Sequence, residues 1–236
     1  MITNKFNYKP LSRESIEGRR HYCLPDGSRV ASVTSILDAT QSEEKKAGLA
    51  RWRKSVGEDK AKEIVTEAAS RGTRMHKWLE DFILTDDLGK PGSNPYSQQS
   101  HKMAKCVVEK GLVNVNEFWG VEVPLYFPGL YAGTSDGCGI HLNDEAILDY
   151  KQTNKPKKEE WIEDYFIQLV AYALAHNEVH GTNIRKGVVL MCVKPPEIEP
   201  GIWGDPQYQE FVLKPEDFGY WENKWWERVE KYYKNI

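Results

Sequence analysis

Three side chains near the middle of the chain combine types and spacing suited to acid and metal chemistry: Asp136, Asp149 and Lys151. Residues 130–142 read as a strand with small residues at Gly133, Gly137 and Gly139, and residues 145–150 alternate and are rich in aliphatic side chains. A turn over Asn143 and Asp144 joins the two into a predicted hairpin. Residues i and i+2 of a strand share a face, so Asp149 and Lys151 point the same way, and a ladder partner can bring Asp136 beside them. Two carboxylates that close repel one another and are costly to bury without a cation or a proton. A hard divalent ion such as Mg²⁺ answers this, taking oxygen ligands from one or two carboxylates and keeping several waters. Lys151 next to such an ion would have its pKa lowered by like charge, which suits a lysine that orients or deprotonates water. The competing reading is a surface hairpin with an exposed Asp149–Lys151 ion pair, and D-x-K alone is too short a motif to decide.

The surrounding motifs carry more information. RGTRMHKWLE stands upstream at residues 71–80 and IQLVAYALAHN downstream at residues 167–177. The succession G-T-x-x-H-x-x-x-E, G-x-x-D, D-x-K, Q-x-x-x-Y resembles that of the RecB-like nucleases of the PD-(D/E)xK superfamily. Within that group, YCLPDGSRVASVTSIL, RWRKSVGEDKA and the K-P-K after Lys151 look most like the mitochondrial genome maintenance exonucleases and their phage relatives. The resemblance covers roughly residues 22–195, and four motifs in order are far more specific than any one of them.

The resemblance implies an α/β fold: a restriction-endonuclease-like core with a mixed central sheet flanked by helices, and an N-terminal helical subregion over the active site. It implies one nuclease domain over residues 1–236, with the helical subregion at 42–86, the catalytic core at 117–194 and a C-terminal helix at 215–235. It assigns Mg²⁺ or Mn²⁺ to His76, Asp136, Asp149 and the Tyr150 carbonyl, and an imidazole ligand improves the case for Mn²⁺. Lys151 would position the attacking water, Glu80 would support the site from the histidine's helix, Gln168 would lie close to Lys151, and Tyr172 would lie near the DNA backbone or the site wall. The activity implied is a metal-dependent DNA exonuclease preferring single-stranded or flap ends. Alternatives are a flap endonuclease or duplex exonuclease on the same fold, or a nuclease-derived binding module. Expected phosphate contacts are Lys155, Lys157 and Lys158, with Arg51, Arg53 and Lys54 in a strand passage over residues 42–70, and Arg71, Arg74 and Thr153 near the motifs.

The elements that must position these groups can be read from periodicity and turn chemistry. Residues 1–19 are polar and read as loosely held; residues 20–24 and 29–33 flank Pro25, Asp26 and Gly27 as a small hairpin, with Thr34 as the N-cap of a short helix. Ser42 followed by Glu43 and Glu44 starts a helix that Gly57 interrupts; a second continues through Ala68 and a third runs from Thr73 to Ile83. His76 and Glu80, four apart, share a face of that third helix. Residues 86–100 read as a surface loop, 101–110 as a helix and 118–127 as an alternating strand, on which Glu122 reads as structural, with a water-bridged metal contact as the alternative. A helix over 159–176, a buried strand over 186–194, an edge strand over 208–212 and an aromatic helix over 215–234 complete the chain. Those helix aromatics could stack bases, but at this spacing they fit core better. His176 and His180 do not match a zinc motif.

Composition bounds the function. The 236 residues suit one domain able to bury a full core. With a net charge of −3, any positive potential for a nucleic acid must be confined to a groove. Cys23, Cys106, Cys138 and Cys192 include no C-x-x-C, and the close-spaced group that iron–sulfur members of the resembling family carry is missing, so no cluster is expected. No apolar run approaches the roughly 20 residues of a membrane span. The expectation is a soluble cytoplasmic monomer of phage or bacterial origin, acting on DNA with free single-stranded ends.

Overall fold

The computed structural model describes residues 2–234, leaving residues 1, 235 and 236 outside the description. The chain opens with three antiparallel strands, β1 (Ser12–Ile16), β2 (Arg19–Cys23) and β3 (Arg29–Ser32). The first of these lies in the segment expected to be loose; Glu17 and Gly18, both at positive φ, form the tight turn that folds it onto β2. Helix α1 (Val33–Ala39) is capped by Ser32, whose Oγ accepts from Ser35 N, two residues earlier than the expected cap at Thr34. Helix α2 (Glu43–Val56) starts at Ser42 as expected, its Oγ accepting from Lys45 N, and ends at Gly57 with φ 85°.

The expected second and third helices are one continuous helix, α3 (Glu58–Thr85), of 28 residues. Gly72 does not break it; the glycine instead lets the helix approach Gln152, whose Cγ would sit 3.4 Å from a Cβ placed there. Helix α4 (Pro95–Lys110) begins six residues before its expected start, with Asn94 accepting from Tyr96 N and Ser97 N and Pro95 in the first turn. After a 3₁₀ turn over Leu112–Asn114 come β4 (Val115–Phe127), β5 (Tyr131–His141) and β6 (Asp144–Thr153). The β5–β6 turn is Leu142–Asn143, one residue earlier than expected, both residues being left-handed. Helix α5 (Glu163–His180) ends at Gly181 and crosses to β7 (Lys186–Val193), which is parallel to β6 and buried throughout. A small hairpin not foreseen, β8 (Glu197–Glu199) with β9 (Ile202–Trp203), precedes the edge strand β10 (Gln207–Leu213) and helix α6 (Phe218–Lys234).

The result is an α/β fold with a mixed central sheet flanked by helices, in the order β1-β2-β3-β5-β6-β7-β10 with β4 paired to β5. Side-chain alternation divides the core between two faces. Ile147, Val189 and Met191 pack under α5 and α6, whereas Ala146, Leu148, Val188 and Leu190 pack under α3 and α4. Trp225, Val229 and Tyr232 are buried in the first of these cores, which accounts for the aromatic stripe of α6 as packing. His176 is likewise a core residue: it contacts the Tyr8 hydroxyl at 2.9 Å and Thr182 Oγ1 at 2.8 Å, and burial pushes its pKa down to about 3. Helix α2 buries no residue. Among the described residues no helix is long and apolar enough to cross a membrane.

Candidate metal centre at the fork of the sheet

The site lies where β5 changes partners. Its first residues run parallel to β3, with Ala31 paired to Tyr131 and Ser32 to Ala132, and its last pair antiparallel with β6, from Gly137–Leu148 to His141–Asp144. Between these stretches β3 has ended and β6 has turned towards β7, so Gly133 to Asp136 edge an open fork. Such a switch of strand partners leaves a crevice into which side chains from both strands can point. Here it forms a cavity of about 480 Å³ lined by Gly133, Thr134, Asp136, Asp149 and Lys151, with His76, Glu80, Glu122, Gln168 and Tyr172 from neighbouring elements.

Asp136 supplies what the missing ladder would have: its Oδ2 accepts from Tyr150 N at 2.6 Å, tying the fork across its mouth. Helix α3 brings in His76, its rotation fixed by Met75 and Leu79, both fully buried and each contributing about 1.5–3 kcal/mol. His76 Nε2 lies 2.9 Å from the Tyr150 carbonyl and Nδ1 lies 3.4 Å from Asp136 Oδ1. A carbonyl only accepts, so Nε2 carries the hydrogen, and in the neutral ring Nδ1 keeps the lone pair that faces Asp136. Burial of the ring works against its charged form, but Asp136 outweighs burial and holds the His76 pKa above its ordinary value.

On the other face of β6, Lys151 Nζ donates to Asp149 Oδ1 at 2.7 Å and lies 2.5 Å from Oδ2, which has no aligned hydrogen-bond donor. Lys151 also donates to Gln168 Oε1 at 3.3 Å, and Gln168 Nε2 donates to the Tyr172 hydroxyl at 3.1 Å, so α5 holds the lysine through Gln168, which Tyr172 braces. Burial, with Asp136 adding to it, pushes the Asp149 pKa up to about 6 against the pull of Lys151. Lys151 itself is held above its ordinary value, because Asp149 and then Asp136 outweigh burial. The expectation of a lowered lysine pKa rested on the like charge of a cation; the chain's own carboxylates act the other way.

The sequence ranks Glu122 as structural, with a water-bridged metal contact as the alternative; its carboxylate stands with His76 and Asp136. Val121 pairs with Gly137 and Val123 with Ser135, so Glu122 stands opposite Asp136. It adopts φ 48°, a left-handed conformation that is unusual for a non-glycine strand residue. Ligand atoms of His76, Glu122 and Asp136 lie within 4.8 Å of one another, while the residue as a whole remains exposed. Loss of surrounding water and the Asp136 charge both hold the Glu122 carboxyl above its ordinary value.

These donors fit a hard divalent ion: the carboxylates of Asp136 and Glu122 and one imidazole nitrogen of His76 converge, with Asp149 lining the same cavity. The set differs in emphasis from the expected one. Asp149 is turned to Lys151 and the Tyr150 carbonyl is engaged by His76, so His76, Asp136 and Glu122 are the grouping the fold presents directly.

The expected nucleic-acid contacts divide. Arg71 is a correction: it is fully buried, donating from Nε to Gln152 Oε1 and from Nη1 to Glu67 Oε1, both at 2.8 Å, and from Nη2 to Asn154 Oδ1. It is a strut between α3 and the segment after Lys151, out of reach of a bound strand. Thr153 is corrected in the same way, being buried with its hydroxyl turned to the Lys155 carbonyl at 2.9 Å. Arg74 Nε donates to Ser100 Oγ at 3.1 Å. Lys155 and Lys158 are exposed, while the Lys157 backbone is clamped to Gln209 of β10 at 2.8 and 2.9 Å. Arg51, Arg53 and Lys54 are exposed on α2 and do not line the cavity. Glu80 lines it beside Lys77, 3.4 Å away, and Tyr172 is buried as part of the wall.

No protein-family model and no curated protein matches the chain. Among solved structures, one described as "Crystal structure of SSO0001" is similar at 14% identity, over 67% of this chain and 84% of its own, with a TM-score of 0.30. A likeness at that level carries no argument about fold or function.

Proposed function

We propose that the chain is a RecB-like PD-(D/E)xK nuclease: a divalent-metal-dependent exonuclease that hydrolyses DNA phosphodiesters from single-stranded or flap ends. The observation that carries this reading is the convergence of Asp136, Asp149 and Lys151 at the fork of the sheet with His76 delivered from α3. His76, Asp136, Asp149 and Glu122 would hold Mg²⁺ or Mn²⁺, which supplies charge neutralisation at the scissile phosphate and lowers the pKa of water. Lys151, kept charged by Asp149, acts as a hydrogen-bond donor that positions the attacking water and faces the developing negative charge. Gln168 fixes Lys151, Tyr172 fixes Gln168, and Glu80 adds negative charge to the cavity wall.

Purified protein with Mg²⁺ or Mn²⁺ on end-labelled linear single strands, duplexes and closed single-stranded circles tests the reading. Linear strands are degraded and circles survive if ends are required. Cutting of circles points to an endonuclease, and binding without cleavage of any substrate points to a binding module. Gly133 offers a subtler check. A Cβ there would lie 2.6 Å from Tyr172 Cε1, so Gly133→Ala pushes the ring off Gln168 and loosens Lys151. Misplacement of this kind costs about 10²-fold in turnover. Single-turnover cleavage by a variant with an unchanged circular dichroism spectrum measures it, and an unaltered rate removes Tyr172 and Gln168 from lysine positioning.

A further inference from the structure

The wall of the cavity opposite the carboxylates is built by the N-terminal hairpin. In the β1–β2 register Arg13 pairs with Tyr22 and Ser15 with Arg20, which puts Arg13, Arg20 and Tyr22 on one face. All three line the same cavity as Asp136 and Asp149, with Thr34 of α1 beside them. Among the described residues neither guanidinium makes an ion pair with a carboxylate, whereas Arg29 of the adjacent β3 pairs with Glu14 at 2.5 Å. Both arginines are exposed and stand diagonally across the ladder, so their positive charges add on one face, to which an anion is drawn. A cavity of about 480 Å³ falls within the roughly 300–1,000 Å³ that encloses a small organic group.

We propose that Arg13 and Arg20, aided by the Thr34 and Tyr22 hydroxyls, form a phosphate subsite that holds a nucleic-acid phosphate other than the scissile one, opposite the candidate metal centre. The proposal rests on the nuclease reading above. Planar guanidinium forks suit phosphate oxygens. The chemistry is the same for a terminal phosphate and for an internal phosphodiester next to the scissile bond. In either case the subsite fixes the register in which a strand presents its backbone to Lys151.

The test compares wild type, the Arg13→Gln/Arg20→Gln double variant and Arg29→Gln on oligonucleotides with 5′-phosphate, 5′-hydroxyl or 3′-phosphate ends. Fluorescence anisotropy with Ca²⁺ gives Kd over a salt series, and cleavage with Mg²⁺ or Mn²⁺ gives kcat and KM. The double variant is expected to raise Kd and KM at least about tenfold, with kcat retained. Its slope of log affinity against log salt should be shallower by about 1 per lost contact. Arg29→Gln should behave as wild type, since that side chain is paired with Glu14 and stands outside the cavity. Equal loss on all three oligonucleotides assigns the internal phosphodiester, and loss confined to one phosphorylated end assigns the terminal phosphate; either supports the subsite. Unchanged Kd, KM and salt slope in the double variant, or an equal loss in Arg29→Gln, overturns it while the nuclease reading stands. A wild type that neither binds nor cleaves any of the three overturns both.

Discussion

Lys151→Met is expected to remove cleavage while leaving strand binding in place, with turnover falling by about 10²–10⁴-fold. Methionine keeps most of the volume of the stem, so the change isolates the ammonium, which sits 2.5 Å from Asp149 Oδ2 and 3.3 Å from Gln168 Oε1. The variant should also lose stability, because Asp149 is left as a buried carboxylate without its cation. Removing one partner of a buried pair costs about 3–5 kcal/mol, and the lower end applies because Lys151 retains some solvent contact. The loss should depend on pH. Burial already raises the Asp149 pKa from 3.8 to about 6, so the folded state holds that proton more tightly than the unfolded chain. The associated stability is fully present below the unfolded value and is lost as pH rises through about 6. Without Lys151 the pKa rises further, so the Tm gap between wild type and variant should be wider at pH 8 than at pH 5. Thermal melts at the two pH values and single-turnover assays measure both effects. Full turnover in folded Lys151→Met removes the lysine from the chemistry, and a Tm gap that does not vary with pH removes Asp149 as its partner.

Arg71→Ala should be the most destabilising change of any charged residue on α3. The guanidinium is fully buried and joins Glu67, Gln152 and Asn154, and burial lowers its pKa despite the opposing pull of Glu67. Truncation removes three hydrogen bonds at once and leaves Gln152 Oε1 without its donor, at a cost of about 1–3 kcal/mol beyond the lost packing of the stem. Arg71→Lys should recover only part of this, since a single ammonium cannot reproduce a planar three-way fork. Urea unfolding measures the loss. A salt series of DNA binding separates this strut from a phosphate contact: the slope should be unchanged, where losing a phosphate contact would reduce it by about 1. An undiminished urea midpoint together with a shallower slope would return Arg71 to the nucleic-acid surface.

The residues that could do chemistry were legible because their spacing encodes a face. Asp149 and Lys151 share one strand face by the period of two, and Gln168 and Tyr172 share one helix face by their spacing of four; the structure joins the two pairs through the 3.3 Å link. The fork that makes a cavity of them was not legible, since the departure of β6 from β5 after Leu148 depends on where β3 ends. Glu122 was ranked as structural, with a water-bridged metal contact only as the alternative, because neither its left-handed backbone nor its position opposite Asp136 has a local signature. Arg71 did leave a signal. It lies four residues before Met75 and eight before Leu79, on the buried stripe of α3, but its charge argued for the surface. The start of α4 was hidden by loop-like composition, although Asn94 and Pro95 together are a helix-start signature. The expected boundary between Ala68 and Thr73 falls inside one continuous helix, in which Gly72 is a point of close approach to Gln152.

Anomalous diffraction from crystals soaked in Mn²⁺ tests the metal centre most directly. The expected result is a manganese peak in the fork, within coordinating distance of Asp136 and at least one of His76, Glu122 and Asp149, and its loss in Asp136→Asn. A well-diffracting crystal with no peak in the fork, or a peak that persists in Asp136→Asn, would contradict the metal centre and with it the proposed hydrolysis.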